Sequence, residues 1–494
     1  MDVDPALHKL RHAIEPGVTP LIGVDMVASF VRLPVFSFFE NVGREADFMP
    51  SKLLRDSLYE TLVRFPLLVG RFRVESGGFL SVVVDRDNLN LPVFQDVECD
   101  VHFDELRAAT FSPKLLPDWD IAASALAVGP CVGEIKLAQV LVARLQGNSG
   151  VVLFSSAAHA VMDGLGNCML LKTWADTCRR MASGEPDSSS ELPTAPIVHD
   201  RNILWQKIPR QLSPLDHLVR HVHVPGTMLS RWLAWLSPET RGKMIRGVNT
   251  LVATSGNSYY ISRKSLDVLR DAILRVVPGK RRISHNDLMV ALVTVVMAQC
   301  AEAPHKKKKS KNKGSWLCLP RTQPRSFQTS IATDMRPRIP GLVEAGYSGN
   351  GMIKQLFSTS YEELQQPVTL GLLAEVAALA RSSTDAVDSE YIQQFADSVQ
   401  NSRDCYIRPI VCGPRHPMKV LTTNHTRLSY YANDFGYGAP AWVCPPEGLF
   451  PNFILFFPAP HTMDGYTIFI NAPTDILNRV RLHDYWSSMT SFLN

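Results

Sequence analysis

Apolar positions recur with two different periods along this chain, and the sharpest change between them falls within residues 151–166. Val151, Val152, Leu153 and Phe154 form a short run of β-branched and aromatic residues, the make-up of a buried strand, and the sequence from Leu165 onward reads as a helix. His159 therefore sits where a strand ends, a place where rigid backbone stops and a side chain can face a crevice. Upstream, residues 50–64 place Leu54, Leu58 and Leu62 at steps of four, which predicts an amphipathic helix with Ser51 as its cap. Residues 79–84 and 135–142 are strand-like and residues 145–150 form a turn, so three strands are expected to lead into His159. The helix from Leu165 should close near Gly184, because the polar run at 185–191 cannot continue it.

Residues 192–257 have no clean period, yet Trp205, Trp232 and Trp235 argue that the segment packs on the protein. Beyond it a strand is expected at 259–261 and a helix at 265–277, capped by Ser265 and stopped by Pro278-Gly279. Residues 284–299 predict a further helix, apolar at Leu288, Leu292 and Val296, with Ser284 as N-cap and Asp287 in its first turn. Helices at 371–381 and 389–401, strands at 453–457 and 466–470, and a final helix from about 485 complete the pattern. Each half alternates helices and strands, so the expected architecture is α/β with two domains of similar build: 1–185, a crossover at 186–257, and 258–494.

A length of 494 residues suits two or three domains, and 45% hydrophobic with 20% charged residues is globular composition. A net charge of +4 is small for this size and calls for no polyanionic partner. The basic run at 305–313 reads as a solvated loop; a nuclear-localisation or nucleic-acid contact is the sharper alternative. Nine scattered cysteines form no C-x-x-C pair, so reduced thiols are expected, with no disulfide framework and no metal site. The first thirty residues show no signal-peptide pattern and no stretch reaches 18 apolar residues, so a cytoplasmic protein without a membrane span is expected.

His159-x-x-x-Asp163-Gly164 is the first candidate for chemistry. With 14 histidines, roughly half an accidental His-x-x-x-Asp is expected, and the added glycine lowers that to roughly 0.05. A core histidine beside a helix-capping aspartate remains the structural alternative. Imidazole has the pKa needed to take a proton from an attacking alcohol or amine near neutrality. Ser155 and Ser156 stand in no Gly-x-Ser-x-Gly elbow and no cysteine lies beside the histidine, so a covalent acyl-enzyme is not required. Asp163 looks at first like the third member of a triad.

The second candidate lies far along the chain, at Asp434-Phe435-Gly436-Tyr437-Gly438. His-x-x-x-Asp-Gly followed by Asp-Phe-Gly-aromatic-Gly resembles the BAHD family of coenzyme A-dependent acyltransferases. Phe65-Pro66-Leu67-Leu68-Val69-Gly70-Arg71, Leu170–Ala175, Asp334-Met335-Arg336 and Tyr347-Ser348-Gly349-Asn350 are similar to family segments in the same order. The resemblance implies two chloramphenicol acetyltransferase-like domains joined by a crossover, with a solvent channel between them and His159 in its middle. It implies an acyl, chiefly acetyl, group moved from acyl-CoA to a hydroxyl or amine of a small secondary metabolite. His159 would be the general base, with acyl-CoA as co-substrate and no tightly bound cofactor. From the residues alone, the nearly balanced charge calls for no nucleic acid, and with no a/d heptad seam a monomer is expected. The resemblance also implies that Asp163 turns away from substrate to pair with Arg336, while Gly164, Asp434, Gly436 and Gly438 support the site. Thr423 and His425 occupy the place of a Thr-Ser-Trp that faces the acceptor and oxyanion in plant members. His425 replaces that tryptophan, which leaves the oxyanion donor open; Tyr437 for tryptophan and the basic run, together with the length, make the sequence look like a microbial branch akin to the trichothecene acetyltransferases. Two other readings are a condensation or release domain with a carrier-bound donor, which usually has two tandem histidines where Ala158-His159 stands, and a non-catalytic small-molecule-binding protein.

Overall fold

The apolar run at 151–154 becomes the middle of a strand, Gly150–Ala158, every residue of which is buried. The computed structural model describes residues 4–21, 24–25, 32–75, 80–117, 132–184, 197–206, 254–277, 282–301, 326–400, 419–447 and 452–494. The basic run at 305–313, the stops at 185–191 and Pro278-Gly279, and most of 192–257 with Trp232 and Trp235 lie outside the described residues. In chain order the strands are β1 (Gly17–Pro20), β2 (Arg32–Glu40), β3 (Arg71–Val74), β4 (Leu80–Val84), β5 (Val93–Cys99), β6 (Ala138–Leu145), β7 (Gly150–Ala158) and β8 (Thr254–Ser262). They continue as β9 (Ser326–Asp334), β10 (Met352–Ser360), β11 (Lys419–Asn424), β12 (Trp442–Cys444), β13 (Phe453–Pro458), β14 (Gly465–Pro473) and β15 (Ser491–Phe492).

A five-stranded sheet runs β12-β2-β7-β6-β5, and a seven-stranded sheet runs β10-β9-β11-β13-β14-β8-β15. Each carries its own apolar core, one built on Phe38, Phe39, Val152 and Trp174, the other on Leu292, Phe327, Ile454 and Ile468. The helix His285–Cys300 is apolar all round and correspondingly buried along nearly its whole length, as a helix at the centre of a domain must be. A smaller cluster joins Val24, Leu204, Met335, Leu342 and Tyr347, residues from three distant segments.

Three expectations need correction. The strand at 79–84 does not share a sheet with β7; β4 pairs with β1 and β3 in a separate three-stranded sheet. Its place beside β7 is taken by β2, which is nine residues long, largely apolar, and pairs from Arg32↔Ala158 to Glu40↔Gly150. Ser51 does not cap the helix Ser51–Val63: Pro50 holds the cap position, and the Ser51 hydroxyl accepts from the Arg144 guanidinium. Ser265 does not cap its helix either, because β8 runs straight into Arg263–Val276 and Ser262 Oγ accepts from the Ser265 N–H at 2.9 Å. Ser284 does cap the helix His285–Cys300, in a reciprocal capping box with Asp287.

The chain passes from the first of these sheets to the second between β7 and β8, returns to the first at β12 and goes back to the second at β13. Val198 bridges to Tyr347, and His199 Nε2 donates to the Arg64 carbonyl (2.6 Å) while its Nδ1 lies 2.7 Å from Ser348 Oγ, tying the crossover to both halves. Later, β12 leaves the second half to pair with β2, with Trp442 stacked on Phe111 at 5.6 Å. No described helix is long and apolar enough to cross a membrane.

Candidate active site

β7 ends at Ala158 and the next helix, Gly164–Ala182, begins six residues later, so residues 159–163 form a short turn held at both ends. Asp163 is the N-cap and accepts from the Gly166 N–H at 3.1 Å. His159 opens this turn, half-buried, on the wall of a cavity of about 780 Å³. That volume lies within the about 300–1,000 Å³ range of small-molecule sites. The first half contributes His159, Asp163, Gly164 and Leu165 to the lining; the ends of β9 and β11, the N-terminus of His285–Cys300 and Tyr466 supply much of the rest, with Arg270, Met352, Arg381 and Thr384 from neighbouring elements.

The imidazole is fixed from behind by Asn350. His159 Nδ1 lies 3.0 Å from Asn350 Oδ1, and Asn350 Nδ2 donates to the His159 carbonyl at 2.7 Å and to Asp25 Oδ1 at 2.8 Å. Both amide protons are thus used on acceptors, so Oδ1 is the atom presented to the ring, and an amide oxygen only accepts. The ring proton is thereby assigned to Nδ1, leaving the Nε2 lone pair as the ring's basic site. Burial pulls the pKa of His159 below its ordinary value, against its own carbonyl, Asp163 and Asn350, which raise it. At neutral pH the ring is an uncharged base.

Asp163 makes no hydrogen bond to that ring, which sets aside a triad. Its Oδ1 accepts from Arg336 Nη2 at 2.9 Å and its Oδ2 from the Gly351 N–H at 2.9 Å. Burial alone would raise this carboxyl, but the Arg336 guanidinium and two backbone N–H groups hold it below its ordinary value. Arg336 is itself buried and also donates to Asp334 at 2.9 Å and to the carbonyls of Tyr347 and Gly349. This one guanidinium therefore joins the histidine turn to the segment 347–351 that carries Asn350. Gly166 is required by close approach: a Cβ there would lie 2.1 Å from the Ser348 carbonyl oxygen.

His425 follows β11 and faces the same cavity as Thr423. Burial lowers its pKa to about 4, so it is neutral, and its Nδ1 lies 3.1 Å from the hydroxyl of buried Tyr430. Its Nε2 is so close to Gly164 that a Cβ at that glycine would stand 2.8 Å away. The loop at 434–438 does not line this cavity. Asp434 Oδ1 accepts from the N–H groups of Gly436 (2.8 Å) and Gly438 (2.9 Å), both glycines at positive φ, and Phe435 packs edge-on against Trp174 of the helix after His159 at 5.0 Å. The loop thus sits beneath the helix that the histidine turn starts.

The cavity is rich in guanidinium groups. Arg381 is paired with Asp287 at 3.0 Å and Arg270 with Asp267 at 2.7 Å, while Arg282 and Arg427 make no ion pair among the described residues. No group of three or more His, Cys, Asp or Glu among the described residues could hold a metal ion. Sequence reasoning did not single out Asn350 by itself, Asp25, Arg201 or Tyr430 as site residues. Only Asn350 carried a signal, its place in Tyr347-Ser348-Gly349-Asn350.

Two sheets flanking a cavity with His159, His285 and His425 on its wall define an acyltransferase-like fold of two chloramphenicol acetyltransferase-like domains. The solved structure of TRI101 from F. graminearum, complexed with coenzyme A and T-2 mycotoxin, superposes with a TM-score of 0.70 over 97% of this chain and all of that one, at 14% identity. Vinorine synthase follows at 0.59, over 96% of this chain and 94% of its own, at 16% identity. At such identities these likenesses establish the fold. In sequence, a profile described as "Transferase family" matches residues 12–196 and 317–483. The chain belongs to this family, the BAHD acyltransferases, and is an acyltransferase. Among relatives, hydroxycinnamoyl-CoA:5-hydroxyanthranilate N-hydroxycinnamoyltransferase of Avena sativa is 22% identical over 92% of this chain and 90% of its own length.

Proposed function

We propose that the protein moves an acyl group from a coenzyme A thioester to a hydroxyl or amine of a small molecule, with His159 as general base and no covalent acyl-enzyme. The observation that carries this reading is the free Nε2 of an uncharged His159 on the cavity wall, its other nitrogen bonded to an amide oxygen. As the acceptor oxygen or nitrogen bonds to the thioester carbonyl carbon, its proton passes to Nε2. The tetrahedral adduct then expels the thiolate, the C–S bond breaks, and Nε2–H returns the proton to sulfur. His425 would donate from Nε2–H to the developing oxyanion, with Tyr430 donating to Nδ1. Ser155 and Ser156 are buried within β7, and the described cysteines are all buried, which supports direct transfer. An acetyl donor rests on the likeness to O-acetyltransferase pyr7 of Aspergillus fumigatus, 25% identical over 56% of this chain and 54% of its own length.

The test is incubation of the purified chain with a panel of acyl-CoAs and a metabolite extract, reading free thiol and the mass gain of the acceptor. Thiol release without an acylated product, or acylation from a carrier-bound donor only, would overturn the reading. With the wild-type protein, the acid limb of kcat/KM against pH should lie below the ordinary histidine range. A group whose pKa is lowered stays unprotonated further into acid, so the rate holds through neutrality and falls only below it. An acid limb at or above the ordinary value would contradict the neutral ring.

Arg282 and Arg427 are read as contacts for the phosphates of coenzyme A: unlike Arg338, which also lines the cavity but donates to the Asp334 and Thr384 carbonyls, they make neither an ion pair nor a side-chain hydrogen bond among the described residues. Arg282→Ala and Arg427→Ala are each expected to raise KM for acyl-CoA by about tenfold, the size of one charge-assisted hydrogen bond of roughly 1.5 kcal/mol, with kcat little changed. An unchanged KM in both variants would remove them from the phosphate site.

A further inference from the structure

We infer that Asp25, held by Arg201, sets the tautomer of His159 through Asn350 and is a positioning residue for the reaction. The inference rests on His159 acting as the base. Asp25 is fully buried and 325 residues away from Asn350 in sequence, yet its Oδ1 accepts from Asn350 Nδ2 at 2.8 Å. Behind it Arg201, also buried, places Nε 3.4 Å from Asp25 Oδ2, and its other nitrogens donate to the carbonyls of His199 and Val161. Val161 belongs to the histidine turn, so the pair grips that turn directly and also through Asn350.

The chemical point is direction. An ionised carboxylate only accepts, so the group it faces must be a donor. With Asp25 on one side and the His159 carbonyl on the other, the amide nitrogen of Asn350 has two acceptors and its oxygen is left for His159 Nδ1. Turning the amide over would aim its oxygen at the Asp25 carboxylate and its N–H groups at the ring. Nδ1 would then become the acceptor, and the proton would move to Nε2, the atom that must be bare to receive the acceptor's proton. A buried carboxylate needs a paired charge, and the buried Arg201 guanidinium beside Asp25 is such a partner. Other charges face the ring as well: Asp163 in its own turn, Lys354 on β10 and the His425 ring after β11 act on its charge. None of them touches Nδ1, so none selects which nitrogen carries the proton.

The experiment uses the full chain with ¹⁵N-labelled histidine, His159 being assigned by difference against His159→Gln. In the wild type above neutral pH, His159 should show a protonated Nδ1 and a bare Nε2. A protonated Nε2 there would overturn the inference at once, whatever acyl transfer assays show. Asp25→Asn, whose amide offers a donor as well as an acceptor, should shift His159 toward protonated Nε2 and lower kcat/KM ten- to a hundredfold with KM for acyl-CoA unchanged. Asp25→Glu should restore the wild-type tautomer. If Asp25→Asn does not fold, Asp25→Asn/Arg201→Gln removes the stranded charge and is read the same way. A folded variant that keeps Nδ1–H, or whose loss of rate is a loss of acyl-CoA affinity, overturns the inference. Loss of acyl transfer in the wild type with the predicted tautomer present would count against the proposed function instead.

Discussion

Replacing His159 with alanine is expected to lower kcat/KM for acyl transfer by about 10²–10⁴-fold, the range for removal of a positioned general base. The fold should survive, because the ring is only half-buried and hydrogen-bonds a single side chain, Asn350. The thermal midpoint should therefore move little while turnover collapses, and KM for the acyl donor should be nearly unchanged. His159→Gln is the sharper variant. It keeps a polar group near Asn350 but supplies no basic nitrogen, so it should fall as far as alanine. A variant that retained more than about a tenth of wild-type rate would show that the proton leaves by another route.

The second large effect is structural. Asp163 and Arg336 are both almost fully buried, and breaking such a pair from one side leaves an uncompensated charge that costs about 3–5 kcal/mol. Asp163→Ala and Arg336→Met should each lower the denaturant midpoint and abolish activity in the same preparation. The double variant should be less damaged than the sum of the two, because it strands no charge. Additive losses would mean that the two residues act independently. The pH dependence follows from the direction of the shift. Asp163 is held below its ordinary pKa, so its contribution is complete above the usual carboxylate range and is lost only as pH falls through the lowered value. In Asp163→Ala that part of the acid sensitivity should be missing.

Local features of this chain were legible wherever one period or one cap decided them. The β7 run, the helix after His159 and the Ser284 capping box each depend on residues within one turn or strand. Errors arose where a strand passes directly into a helix, as at Ser262–Arg263, since nothing in the composition marks the junction. β2 went unread because Arg32, Pro34 and Ser37 interrupt its apolar run, and its place beside β7 is decided by pairing over more than a hundred residues. His159 and Asp163 were visible through their spacing, and their connection to Arg336 only through family likeness. Asp25, Arg201 and Asn350 meet across 176 to 325 residues, and no local pattern announces that an aspartate near the start of a chain will stand behind a histidine in its middle.

The exchange of β12 into the first sheet also bears on how the two lobes can be separated. Residues 442–444 cover the outer edge of β2, and Trp442 seals Phe111, so the first lobe is completed by chain synthesised almost three hundred residues after its histidine. A fragment ending between the lobes would present β2 as an open ladder of unpaired amides and carbonyls, the kind of edge that recruits other strands. During synthesis the N-terminal lobe must therefore wait, unfinished, until residues 442–444 have left the ribosome.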